Sequence, residues 1–140
     1  MIAYLDTSAL VPLLIDGPGS GVALHMWDAA QRIVAIPLLY AEGRAALAQA
    51  QRMGRITQRQ LRAAVDELDE VYSQIDVVGI DEPLVRRAGE LAEAHGLRGY
   101  DAVHLAAAQR AADRDFVVVA GDRALLTAAA AVGLAVARVG

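Results

Sequence analysis

Residues 116–126 read "FVVVAGDRALL". Five consecutive apolar residues, Phe116 to Ala120, leave no position for a solvent-facing side chain. The run therefore fits a parallel strand covered on both faces, not the alternating pattern of a strand with one wet face. Gly121 ends it, and Asp122 stands immediately before a helical pattern, "DRALLTAAAAVG" (122–133). The chain opens in the same way. In "MIAYLDTSAL" (1–10), the apolar run Ile2–Leu5 finishes in the carboxylate of Asp6 and the hydroxyls of Thr7 and Ser8. Twice, a strand bound for the core delivers an acid to its carboxyl end.

Working outward, three more short stretches read as strands: "RIVAIP" (32–37), "DVVGI" (76–80) and "AVARV" (135–139). Helical patterns lie between them. "LLYAEGRAALAQAQRMG" (38–54) is alanine-rich and stops at Gly54. "TQRQLRAAVDELDEVYSQ" (57–74) opens with Thr57 and Gln60 in capping-box spacing, and the two segments together predict a helical hairpin. "DEPLVRRAGELAEAHG" (81–96) carries an Asp81 cap, an early Pro83 and a terminal Gly96, and "YDAVHLAAAQRAAD" (100–113) supplies a further helix. This alternation predicts an α/β three-layer sandwich, with a mainly parallel five-stranded central sheet flanked by helices.

At 140 residues, with no low-complexity linker, repeat or Pro/Ser-rich hinge, the chain is expected to form one domain over 1–140. Hydrophobic residues make up 56% and charged residues 21%, which places it among folding globular chains. The first residues hold Asp6 and no basic cluster, unlike a signal peptide, and the most apolar later stretch is too short for a membrane span. A cytoplasmic location without membrane attachment is the expectation. There are no cysteines, which removes disulfides, thiolate catalysis and cysteine-ligated zinc. The net charge of -4 gives no global attraction to nucleic acid, so a polyanionic partner would need a local cationic patch. All thirteen basic residues are arginines, and Arg44, Arg52, Arg55, Arg59 and Arg62 gather in one stretch that reads either as a phosphate-binding face or as a solvated helix surface.

In open α/β sheets, ligands bind beyond the carboxyl ends of the strands. Asp6 and Asp122 lie at that end of their strands, Asp101 at the start of one helix and Glu42 near the start of another. Alone, each aspartate reads as a helix cap and Glu42 as a surface residue. Together they read differently, because two carboxylates about 4 Å apart repel by roughly 4 kcal/mol at an effective dielectric near 20. Such a cluster calls for a cation or for shared protons. Oxygen ligands without cysteine favour Mg²⁺ or Mn²⁺, a chemistry suited to phosphodiester hydrolysis.

The motifs "YLDTSAL", "YAEGRAAL", "GYDAVHLAAA" and "VVVAGDRALL", in order and across essentially the full length, resemble the PIN-domain family, specifically the VapC-type toxins of bacterial toxin–antitoxin pairs. The resemblance implies a Mg²⁺- or Mn²⁺-dependent endoribonuclease in which Asp6, Glu42 and Asp101 form the acidic core and Asp122 the fourth acid, together the catalytic and metal-holding set. It further implies an inhibiting VapB-like antitoxin as partner, an RNA substrate and a homodimer.

The other polar residues divide more finely. Thr7 and Ser8 are candidates to orient Asp6, a water or a phosphate oxygen, and Arg123 adjoins the site as a candidate phosphate contact. His104 follows Asp101 by one helical turn and reads as a packed or supporting residue more readily than as a ligand. Tyr100 offers either stacking on a base or packing at a helix start. A phosphatase of the haloacid-dehalogenase type would need a second Asp two residues after Asp6, where Ser8 stands. A PIN-like module that binds RNA or protein without catalysis is the competing reading, and RNA and DNA are not distinguished by these residues.

Overall fold

The computed structural model describes residues 1–140. Five strands alternate with seven helices: β1 (Ile2–Leu5), α1 (Thr7–Leu14), α2 (Ser20–Ala29), β2 (Arg32–Ala35), α3 (Leu38–Arg52), α4 (Gln58–Ser73), β3 (Asp76–Val77), α5 (Glu82–His95), α6 (Gly99–Ala111), β4 (Phe116–Ala120), α7 (Arg123–Ala131) and β5 (Ala135–Arg138). All strand pairings are parallel and the sheet order is β3-β2-β1-β4-β5. The predicted sandwich is therefore the observed one, and the sheet is wholly parallel.

β1 sits at the centre, with Ile2 level with Arg32 on one side and with Phe116 on the other. The chain winds to one edge through β2 and β3, then returns to the far side of β1 through β4 and β5. The reversal leaves a crevice between the carboxyl ends of β1 and β4, the place where such sheets bind ligands.

Alternation along each strand divides the interior in two. Ala3 and Leu5 point into a core shared with α1 to α4, where Leu10, Leu39, Leu47 and Leu68 are fully buried. Tyr4 points the other way, into a core formed with α5 to α7 by Leu84, Leu91, Leu105 and Leu125. Each such buried leucine contributes about 1.5–3 kcal/mol relative to exposure. β4 is buried throughout, as its unbroken apolar run requires.

Local signals act as read in most places. Thr57 and Gln60 form a reciprocal capping box at α4. Asp81 accepts from the Leu84 N–H at α5, and Gly96 closes that helix at φ 64°, a left-handed conformation that favours glycine. Gly43 allows a close approach: a Cβ there would stand 2.8 Å from Leu10 Cδ2, so α1 packs against α3 one residue from Glu42.

One segment that the sequence left unassigned is helical, and one strand is shorter than expected. The segment after Asp6 is helical twice over, as α1 and α2, although Pro12 lies inside α1 and removes one internal hydrogen bond. β3 holds only Asp76 and Val77, not the expected 76–80. Its partner β2 ends at Ala35, whose carbonyl takes the last bond from the Val78 N–H at 2.8 Å, and the chain then leaves the sheet. No helix is long and apolar enough to cross a membrane.

Candidate active site

Asp6 is fixed at both ends of its environment. Its backbone N–H bonds to the Val119 carbonyl at 3.1 Å, tying the end of β1 to β4. Its carboxylate caps α1, accepting from the Ser8 N–H at 3.2 Å and from Ser8 Oγ at 2.5 Å, both at Oδ2. Ser8 Oγ in turn accepts from the Gly121 N–H at 2.7 Å. One hydroxyl thus locks the carboxyl ends of β1 and β4 together and orients Asp6. Thr7 does the same for Glu42, donating from Oγ1 to Oε1 at 3.0 Å. Both hydroxyls proposed as substrate contacts are engaged in holding carboxylates.

The remaining acids enter from three helices. α3 carries Glu42, the first turn of α6 carries Asp101, and Asp122 is the N-cap of α7, accepting from the Ala124 N–H at 2.9 Å. All four acids line a single cavity of about 330 Å³, with Thr7, Ser8, Arg98 and Tyr100 around them. The arrangement is the one anticipated from strand ends and helix starts. Capping and site membership prove compatible, since Asp6 and Asp122 do both.

Behind the cavity, His104 is almost wholly buried. Its Nε2 lies 3.1 Å from Glu42 Oε1 and 3.3 Å from Asp6 Oδ1. Carboxylates only accept, so Nε2 carries a proton. Nδ1 lies 2.8 Å from the hydroxyl of Tyr4, itself fully buried at the centre of β1. Burial first, and then the charges of Asp6 and Glu42, push the Tyr4 phenol far above its usual pKa, so it stays a hydroxyl able to donate. His104 is a support that spans two acids, not an additional open ligand.

Electrostatics distinguish the acids. Burial raises the Glu42 carboxyl, but the hydrogen bond and charge of His104, with the Thr7 hydrogen bond, outweigh it and leave the pKa below its usual value. Asp101 goes the other way: burial lifts it, the Arg98 hydrogen bond pulls it back, and the charges of Asp122 and Asp6 reinforce the rise. A carboxyl lifted partly by its neighbours marks a cluster short of positive charge.

That shortage has one resident answer, which the sequence reading missed. Arg98 Nε donates to Asp101 Oδ2 at 3.1 Å, and Nη2 stands 3.9 Å from Asp122 Oδ2. Arg98 is the only basic residue lining the cavity. Arg123, the sequence candidate, lines a separate depression with His95 and Thr127. None of Arg44, Arg52, Arg55, Arg59 and Arg62 lines the cavity either, although Ala45 and Ala46 do; Arg44 bonds and stacks on Tyr40. Tyr100 lines the mouth half exposed, so packing at the helix start does not account for it.

The donor set is all oxygen and suits a hard divalent cation. No group of three or more histidine, aspartate or glutamate side chains is placed to hold a metal ion together. Mg²⁺ keeps several waters and takes one or two carboxylates directly, which is the chemistry these acids offer. The residues present therefore fit such a cation.

Comparison with known proteins gives the same direction. The PIN domain model matches residues 3–131. Two curated proteins of Mycobacterium tuberculosis, ribonuclease VapC45 (strain CDC 1551 / Oshkosh) and ribonuclease VapC49 (strain H37Rv), are each 40% identical over 136 residues, covering 97% of this chain and 94% of theirs. Among solved structures, PAE2754 from Pyrobaculum aerophilum superimposes with a TM-score of 0.72 at 24% identity, over 97% of this chain and 83% of that one. The M. tuberculosis toxin VapC20, described as cleaving the sarcin-ricin loop, gives 0.69 at 18% identity over 97% and 98%. With the acids at the strand switch point and a relative this similar over nearly its whole length, the chain belongs to the PIN-domain family.

Proposed function

We propose that this protein is a Mg²⁺- or Mn²⁺-dependent endoribonuclease, the toxin of a toxin–antitoxin pair, and that Asp6, Glu42, Asp101 and Asp122 are its catalytic, metal-holding residues. One observation carries the reading: four acids from four separate segments converge on one cavity, each with its own fixed support. Relatives named ribonucleases, 40% identical over nearly the full chain, support the same activity. PIN-domain ribonucleases generally use divalent metal ions. When bound, the cation supplies an activated water and neutralises charge on the phosphate undergoing in-line displacement.

The chain's own residues supply the geometry. Ser8 and Thr7 hold Asp6 and Glu42 against rotation, so two carboxylates are set before any substrate arrives. His104 keeps these two acids close despite their mutual repulsion, through a protonated Nε2 facing both. Asp101 and Asp122 complete the opposite wall, with Arg98 as their counter-charge. Preorganisation of this kind stabilises developing charge without reorganisation during the reaction.

Several solved structures with the same fold are toxin–antitoxin assemblies, such as VapBC2 from Rickettsia felis bound to promoter DNA, with a TM-score of 0.66 over 100% of both chains. A small VapB-like antitoxin that closes the acidic cavity is accordingly the expected partner, and a homodimer the expected assembly. The test is incubation of purified, antitoxin-free protein with a mixed RNA pool in Mg²⁺ or Mn²⁺, beside EDTA and beside single-stranded DNA of matching sequence. Metal-dependent cutting of RNA, leaving 5′-phosphate and 3′-hydroxyl ends, is the expected result. Equal cutting with EDTA, or cutting of DNA alone, would overturn it.

A further inference from the structure

We infer that Arg98 and Tyr100 form a phosphate-and-base subsite at the mouth of the acidic cavity, which receives an unstacked nucleotide of single-stranded RNA. The inference rests on the nuclease reading and adds the part of the substrate that the carboxylates cannot bind. A polyanion entering a cavity lined by four acids, in a chain of net charge -4, needs a cation within that cavity. Arg98 is the one basic side chain that lines it. Its Nε is committed to Asp101, but Nη2 stands 3.9 Å from Asp122, beyond hydrogen-bond reach. The η donors are therefore left for another oxygen. The Arg98 side chain is three-quarters exposed, while the Asp101 side chain that anchors it is about nine-tenths buried. A charged fork on an exposed side chain is thus held by a fixed, buried partner.

Tyr100 adds an aromatic surface beside it. Tyr100 is 50% exposed and lines the same cavity, and the Arg98 guanidinium carbon lies over one face of its ring, 6.0 Å from the centroid. An exposed aromatic face paired with an arginine is the arrangement on which unstacked bases rest in single-strand binding, because every base has a π-face while a base inside a duplex hides it.

The test uses the full chain carrying Asp6→Asn, to stop turnover, and fluorescence anisotropy with a labelled single-stranded RNA and with the same backbone made abasic, both in Mg²⁺. Adding Tyr100→Ala is expected to weaken binding of the base-bearing strand about tenfold or more, leave the abasic strand unchanged, and be rescued by Tyr100→Phe. Adding Arg98→Met is expected to weaken both strands and to reduce the slope of log affinity against log salt by about 0.7, the value of one phosphate contact on a single strand. Arg86→Met, the same charge change at an α5 residue that does not line the cavity, is expected to leave the slope as it was. Equal loss on both strands for Tyr100→Ala, or an unchanged slope for Arg98→Met, overturns the subsite. If the unsubstituted chain cleaves RNA while these variants bind like their parent, the subsite alone falls. If it neither cleaves nor binds RNA, the nuclease reading falls and takes the subsite with it.

Discussion

Replacing Tyr4 by Phe removes one oxygen from the middle of the molecule and leaves the packing intact. Tyr4 has no exposed surface, and its ring meets His104 edge-on, with centroids 5.9 Å apart and planes at 81°. A Phe ring fills the same space. The loss is the hydroxyl that lies 2.8 Å from His104 Nδ1. At present no buried side-chain nitrogen or oxygen lacks a partner. In the variant Nδ1 would be the first, at a cost of about 1–3 kcal/mol for an unsatisfied buried polar group. Urea unfolding, with an unchanged m-value, should show that loss as a lower midpoint, and at about 3 °C per kcal/mol the melting temperature should fall by roughly 3–9 °C. The same substitution in a His104→Leu background should stabilise, because it removes the buried Tyr4 hydroxyl that the loss of His104 leaves without a partner. A Tyr4→Phe protein as stable as the parent, or an equal cost in both backgrounds, would refute the reasoning that Tyr4 anchors the imidazole.

Other consequences can be checked more briefly. Gly43→Ala gains about 1 kcal/mol of helix propensity, but its methyl would stand 2.8 Å from the fully buried Leu10, and overpacking of this kind costs about 1–3 kcal/mol; a lower urea midpoint is expected, and a raised one would show that the core yields. The Asp81 carboxyl is held below its usual pKa by Arg110, and next by the Leu84 N–H. A depressed carboxyl contributes stability that is present above its unfolded pKa and lost as pH falls through the folded one. Asp81→Asn should therefore flatten the decline in stability below about pH 5, and an unchanged curve in acid would contradict this.

The parts legible in the sequence were those with local causes. Unbroken apolar runs gave β1 and β4 away, and the acids at their ends follow from where such strands stop. The Thr57–Gln60 box, the Asp81 cap and the Gly96 stop are likewise chemistry between near neighbours. α1 and α2 were hidden because Pro12 and the "GPG" at 17–19 suppress a helical pattern, although Asp6, the cap of α1, was in view. The Tyr4–His104 bond joins residues 100 positions apart and depends on Tyr4 facing the α6 side of the sheet, which strand register alone decides. In sequence Arg123 adjoins a candidate acid, Asp122, whereas Arg98 stands three residues before Asp101. Their separation is a matter of direction: Arg98 precedes α6 and reaches its first turn, whereas Arg123 begins α7 and lies against His95 and Thr127.

In the proposed nuclease the four carboxylates act together as a cation site. The most direct test of this is a calorimetric Mn²⁺ titration of the protein and of an Asp101→Asn variant shown by circular dichroism to be folded. Binding by the parent and at least about a tenfold loss in the variant are expected, since the Asp101 carboxyl is lifted by burial and then by the charges of Asp122 and Asp6, which a cation would offset. Equal Mn²⁺ affinity in the two proteins would contradict it.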